Sequence, residues 1–232
     1  MPEYPPLIAQ GRYPESYLLN RESNVFPGIL GRTCDRPCEP ACRRGRIDGK
    51  PVAICRLKRV AADLRDDIQE YLPKAPAIRN GKRVALIGAG PASLTVANDL
   101  LPLGYEVVIY EKYARAGGLM RFNIPAFRLP ESVLDEETGY IIDMGAEVRY
   151  DTKVESLKHL LDENYDAMFV GSGGPKGKEL DIPGRGADAA KSASHIGMEG
   201  IGAGHFGQNE QVAPTVRRRG GAKQGGAGCG TS

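Results

Sequence analysis

Apolar residues recur along this chain with two different periods. Ile54, Leu57, Val60, Ala61, Leu64, Ile68 and Leu72 fall at steps of three and four, which predicts an amphipathic helix from Ala53 to Tyr71, ended by Pro73. Ahead of it, Pro14 is placed to open a helix through Leu19, and Pro27-Gly28 is expected to break the pattern and leave a loop for Cys34, Cys38 and Cys42. Residues 73–81 carry two prolines and a glycine and read as a linker, so a domain boundary is placed there. Beyond it the pattern alternates. Val84 to Ile87 reads as a short buried strand, Pro91 to Leu103 as a helix stopped by Gly104, and Val107 to Tyr110 as a second strand. A helix over Pro130 to Met144, a strand over Ala146 to Tyr150, a helix over Val154 to Asp162 and a strand over Ala167 to Gly171 complete a βαβ series with a parallel sheet. After Gly184 neither period persists; residues 185–232 are glycine-rich and read as an irregular or disordered tail.

Composition narrows the function classes. The chain is 41% hydrophobic, enough for a core, and its 31 Lys and Arg nearly balance 29 Asp and Glu. A formal charge of +2 argues against nucleic acid as a partner, and Arg217-Arg218-Arg219 reads as solvated charge. No apolar run approaches the roughly 20 residues of a membrane span, and the first residues lack the order of a secretory signal, so a cytoplasmic location is expected.

Four of the five cysteines lie between positions 34 and 55, spaced Cys34-x3-Cys38-x3-Cys42-x12-Cys55. In a reducing compartment, thiols this close are ligands rather than disulfides. Four thiolates suit an iron–sulfur cluster, with Arg43, Arg44 and Arg46 nearby to offset its negative charge. Zinc is the competing metal, although its knuckles favour paired cysteines over an x3-x3 run. Unrelated free thiols are the third reading. Cys229, in the tail, is assigned no role.

The segment Gly88-Ala89-Gly90-Pro91-Ala92-Ser93 sits between a strand and a helix, where a dinucleotide's pyrophosphate meets free helix amides. Gly88 permits the turn and Gly90 lets the backbone approach the phosphates, while Ser93 replaces the usual third glycine and is expected to hold helix and strand slightly apart. Glu111, 23 residues after Gly88, ends the second strand where a carboxylate accepts from ribose hydroxyls. The bland alternative is a pair of turn glycines in an unrelated βαβ fold.

The segments GRTCDRPCEPACRRG, PVAICRLKRVAAD, VALIGAGPASL and YEKYARAGGLMRFNIPAFRLP resemble the glutamate synthase small subunit family and the N-terminal half of dihydropyrimidine dehydrogenase, over roughly residues 5–185. The resemblance implies an α-helical 4Fe-4S domain over residues 1–76 and an incomplete Rossmann-like FAD-binding domain over 82–184. It further implies FAD contacts from Gly88, Ala89, Gly90, Pro91, Ala92, Ser93, Glu111, Lys112, Gly117, Gly118, Leu119 and Arg128, with Val154 meeting the adenine through its backbone. Ser172-Gly173 stands where the family has Thr-Gly.

The chain departs from that family in three places. The upstream cysteine set that supports a second cluster does not occur in this sequence, so one cluster is expected. Lys58 stands where relatives supply a Glu or Gln ligand, which assigns the fourth position to Cys55. No second glycine fingerprint follows Gly184, so the chain reads as truncated or frame-altered, and NAD(P)H is expected only if another chain supplies its domain.

The leading expectation is therefore an oxidoreductase subunit that passes electrons from NAD(P)H through FAD to the cluster and a partner subunit. No side chain is assigned a catalytic role; His159, His195 and His205 fall in no catalytic pattern. A docking or electron-transfer subunit without its own nicotinamide site, and a zinc-stabilised nucleotide-binding module, are the alternatives.

Overall fold

The computed structural model describes residues 3–174 and the backbone of a strand at 216–218. Five helices come first: α1 (Tyr4–Ala9), α2 (Tyr13–Ser23), α3 (Pro27–Thr33), α4 (Gly45–Asp48) and α5 (Ile54–Leu64). The first three carry proline in the opening turn, where its missing N–H costs nothing. Pro27-Gly28 therefore starts a helix where the sequence was expected to break one.

Helix α5 stops at Leu64, short of the expected Tyr71. Arg65 turns extended, with ψ 146°, and its side chain is drawn away from the helix. The guanidinium donates back to the Ala62 carbonyl, lies 4.2 Å from the Tyr17 ring and pairs with Glu136 at 2.7 Å. A separate 3₁₀ turn, Gln69–Tyr71, follows, its first amide bonded to the Asp67 carboxylate at 3.0 Å. Ile68 and Leu72 are buried all the same, while Leu64, at the end of the helix, is exposed, so the apolar period reaches the core beyond the point where the helix stops.

The second half alternates as expected: β1 (Arg83–Ile87), α6 (Pro91–Leu100), β2 (Glu106–Tyr110), α7 (Leu119–Phe122), α8 (Glu131–Ile142), β3 (Glu147–Arg149), α9 (Leu157–Leu161) and β4 (Ala167–Val170). A 3₁₀ turn extends α6 to Leu103, and Gly104 ends it at φ +84°. The sheet order is β3-β2-β1-β4-β5, with the first four strands parallel. Strand β5 (Val216–Arg218) pairs antiparallel with β4. It falls inside the stretch read as an irregular tail; the rest of that reading, Cys229, His195 and His205 included, lies outside the described residues.

Leu86, Ile109, Leu94, Leu134 and Ile141 form one apolar core between sheet and helices, and Phe26 and Ile29 of the helical half belong to the same cluster. The 73–81 segment is a linker along the chain, yet the packing runs across it.

Candidate cofactor sites

At the end of β1 the chain turns through Gly88 at φ +90° and enters α6. A Cβ on Gly88 would sit 2.9 Å from the Gly171 carbonyl, so the turn lies tight against the end of β4. Pro91 has no N–H, and the next amides, Ala92 and Ser93, have no carbonyl one turn earlier to bond. Gly90, in an extended conformation open to any residue, has among the described residues only the Gly171 carbonyl within 4 Å of its would-be Cβ, at 3.9 Å. That open space in front of unpaired amides is where an anion fits. A second wall comes from Gly117 and Gly118, both at positive φ; a Cβ on Gly118 would meet Gly90 Cα at 2.9 Å, and the Gly117 amide bonds the Ala89 carbonyl at 2.8 Å. Leu119 then begins α7, and Arg121 ties this segment down by bonding the Ala116 carbonyl at 2.6 Å and pairing with Asp135.

Ser93 does not widen the contact between helix and sheet. The small residue is supplied from the other side: Gly171, just past β4, lies so close that a Cβ there would strike the Ser93 hydroxyl. The missing third glycine is in effect exchanged across the interface.

Glu111 is buried, with Oε2 accepting from the Ala89 amide at 2.6 Å and Oε1 from Tyr113 at 3.0 Å. These bonds fix the carboxylate beside the turn, and each oxygen keeps a lone pair for a hydroxyl. Lys112 sits beside it, its ammonium 4.7 Å from the Tyr113 ring. Val154 packs against the cluster of Val108, Tyr110 and Tyr165 on the far side of the sheet. Arg128 is exposed, and its guanidinium donates to the Arg32 and Thr33 carbonyls at 3.3 and 3.1 Å, so it grips the end of α3.

The cysteines are unequally placed. Cys34 caps the C-terminus of α3 and Cys55 lies in the first turn of α5. The two helices touch because Gly31 leaves room: a Cβ there would sit 2.8 Å from the Arg59 amide and 3.1 Å from the Cys55 carbonyl. The thiols of Cys34 and Cys55 meet; burial first, then that contact, pushes the Cys55 thiol up to about 11. Cys38 is exposed but near enough to act electrostatically on Cys55. Cys42 stands apart, its thiol held below the ordinary value by hydrogen bonds to the backbone of Val52, Arg44 and Gly45. Among the described residues no three His, Cys, Asp or Glu side chains converge as a single metal ion requires. A 4Fe-4S cluster distributes its thiolates over separate irons, and the donor set of four thiols matches that chemistry.

Tyr4 borders this set. Its ring packs with Ile54 and Cys55, and its buried hydroxyl has no hydrogen-bond partner among the described residues. Burial, reinforced by Cys55 and Cys38, pushes the phenol up to about 12.

Sequence reasoning missed the residue that joins the helical half to the α/β half. Glu137 of α8 is 1% exposed, and its carboxylate accepts from the amides of Gly28 at 2.7 Å and Ile29 at 3.0 Å and from the Tyr17 hydroxyl at 2.8 Å. It caps α3 from across the interface, doing for the helix start what a local side chain usually does. Burial draws its carboxyl upward while these donors and Arg65 pull the other way. With Glu137 on its first amides and Arg128 on its last carbonyls, α3 is held at both ends by the α/β half. Nothing in the local sequence announces this, because the partners lie about a hundred positions apart.

Comparison with known proteins agrees with both halves. The model for dihydropyrimidine dehydrogenase domain II, 4Fe-4S cluster, matches residues 1–70, and that for an NAD(P)-binding Rossmann-like domain matches residues 86–163. The beta subunit of an NADP(+)-dependent formate dehydrogenase from Moorella thermoacetica is 36% identical, over 75% of this chain and 28% of its own. The glutamate synthase [NADPH] small chain of Mycobacterium tuberculosis is 34% identical, over 80% of this chain and 38% of its own. An NAD-dependent dihydropyrimidine dehydrogenase subunit PreT homolog from Salmonella typhi is 38% identical, over 76% and 41%. The chain thus spans less than half the length of these relatives. With a 4Fe-4S domain model, a Rossmann-like model and these relatives in line, the chain is a homologue of the glutamate synthase small chains and of the dihydropyrimidine dehydrogenase subunits.

Proposed function

We propose that the chain is an FAD- and iron–sulfur-dependent oxidoreductase subunit, receiving reducing equivalents from NAD(P)H and delivering single electrons to a partner subunit in the cytoplasm. The observation that carries this reading is that helix α3, capped by Glu137 of the α/β half at one end and followed by Cys34 at the other, ties the half that holds the glycine-lined turn to the cysteine set. The relatives named above are subunits of oxidoreductases, which supports a partner.

In this reading the amides of Ala92 and Ser93 bind the pyrophosphate, Gly90 and Gly118 give it room, and Glu111 accepts from the adenosine ribose. Lys112 and Leu119 line the approach, Val154 meets the adenine through its backbone, and Arg128 holds the segment before α8 against α3. Cys34, Cys38, Cys42 and Cys55 hold the cluster, the two helix-borne thiols fixing its position and the two loop thiols closing over it. Bound FAD supplies the exchange between hydride and single electrons, and the cluster carries electrons one at a time. NAD(P)H is assigned to a domain supplied by another chain.

A zinc site weighs less, since zinc knuckles favour paired cysteines over the x3-x3 run of Cys34, Cys38 and Cys42. The absorbance of anaerobically purified protein tests the proposal. Flavin bands at about 375 and 450 nm above a broad shoulder at about 400 nm, bleached together by dithionite, are expected. A spectrum with neither feature refutes it.

A further inference from the structure

The hydroxyl of Tyr4 bonds to nothing among the described residues. Its residue is held by other means, since the backbone carbonyl of Tyr4 accepts from Ser16 Oγ at 2.9 Å and the ring fills a cluster with Ile54 and Cys55. Phenylalanine would fill that space equally well and would not bury a polar atom. A buried hydroxyl without a partner costs stability in proportion to its lost hydration, so an unpaired one beside a ligand site calls for a partner that arrives with the ligand. Cys55 packs in the same cluster, Cys34 lies against it, and Cys38 is within electrostatic reach. A neutral phenol can only donate to sulfur anions, and the thiolates and sulfides of a cluster are such acceptors.

We propose that Tyr4 donates its O–H as a hydrogen bond to a sulfur of the cluster held by Cys34, Cys38, Cys42 and Cys55, and so raises the cluster's reduction potential. This rests on the iron–sulfur reading. Reduction adds an electron to an already negative group, and a donor aimed at its sulfur stabilises that added charge. Tyr4 therefore acts as a tuning residue and touches no substrate.

The test compares wild type, Tyr4→Phe and Tyr4→Leu as full chains, reconstituted anaerobically with iron and sulfide. Potentials are read by titration followed with electron paramagnetic resonance. Both variants are expected to bind iron as wild type does and to favour the oxidised cluster by about tenfold, a potential about 59 mV lower for one electron. The cluster-free Tyr4→Phe chain is expected to melt no lower than wild type, since the orphaned hydroxyl is gone; a packing role would predict the opposite. Resonance Raman iron–sulfur bands that shift in D2O for wild type and not for Tyr4→Phe support the same bond. Equal potentials in loaded wild type and Tyr4→Phe overturn the proposal and leave the cluster assignment standing. If wild type itself takes up no iron and sulfide, the iron–sulfur reading falls and this inference with it.

Discussion

The glycine cradle and the cysteine set are built to different degrees of completion. Around the cradle every unusual conformation is backed by backbone: Gly88 against Gly171, Gly118 against Gly90, Gly117 bonded to Ala89, and Glu111 locked by two amides. At the cysteine set Cys55 sits on a helix and Cys34 caps one, whereas Cys38 is exposed and Cys42 is hydrogen-bonded by local backbone. A nucleotide site must offer a fixed pattern of donors to a flexible ligand, so it is made rigid beforehand. A cluster is itself rigid, and its bonds are strong enough to gather a loop around two fixed anchors.

The largest effect that can break this comparison comes from the anchors. Cys34→Ala or Cys38→Ala is expected to abolish iron binding while FAD still titrates, measured by iron content and flavin fluorescence. Equal iron in variant and wild type would contradict the ligand assignment. Next is the joint between the two regions. Glu137→Ala leaves two amides and a buried phenol without an acceptor, each worth about 1–3 kcal/mol, so a loss of at least about 3 kcal/mol in urea unfolding is expected. A loss near zero would mean that the two halves are not coupled through α3.

Much of the cradle was legible in the sequence because its signals are local. The Val84–Ile87 run, the Gly88 turn and Glu111 follow one another along a single βαβ unit. The misses have a common physical origin in partners distant along the chain. Arg65 leaves the helical path to reach Tyr17 and Glu136, Gly171 substitutes for a glycine missing at Ser93, and Glu137 turns Pro27-Gly28 from a break into a helix start. Periodicity identified Ile68 and Leu72 as core even where it misjudged the helix, since burial follows pattern more closely than helix ends do. The four cysteines were visible as a group, but their division into two helix-borne anchors and two loop thiols depends on Gly31 bringing α3 against α5.

A smaller change isolates the cradle. Gly90→Ala adds a methyl where, among the described residues, the nearest neighbour is the Gly171 carbonyl at 3.9 Å, and where φ is −83°. The fold should keep its melting temperature while FAD affinity falls at least tenfold, about 1.4 kcal/mol, in a fluorescence titration. Unchanged affinity would show that the pyrophosphate does not pass there.

The smallest effect concerns thiol chemistry in cluster-free protein. The thiolate is the reactive form, so Cys42, with its lowered value, should be alkylated by iodoacetamide at a lower pH than an ordinary thiol. Cys55, buried and pushed up to about 11, should remain unreacted until the pH rises toward that value. Mass spectrometry of peptides after a short pulse at several pH values gives the order, and Cys55 reacting first would reverse the picture of anchors and loop.

The most direct test of the central claim is one anaerobic preparation of the full chain, assayed together for iron, acid-labile sulfide, zinc and FAD. The account predicts about four iron and four sulfide per chain, no stoichiometric zinc, and FAD that is present or binds on addition. A colourless protein that carries one zinc, or no metal, and that ignores added FAD would contradict it.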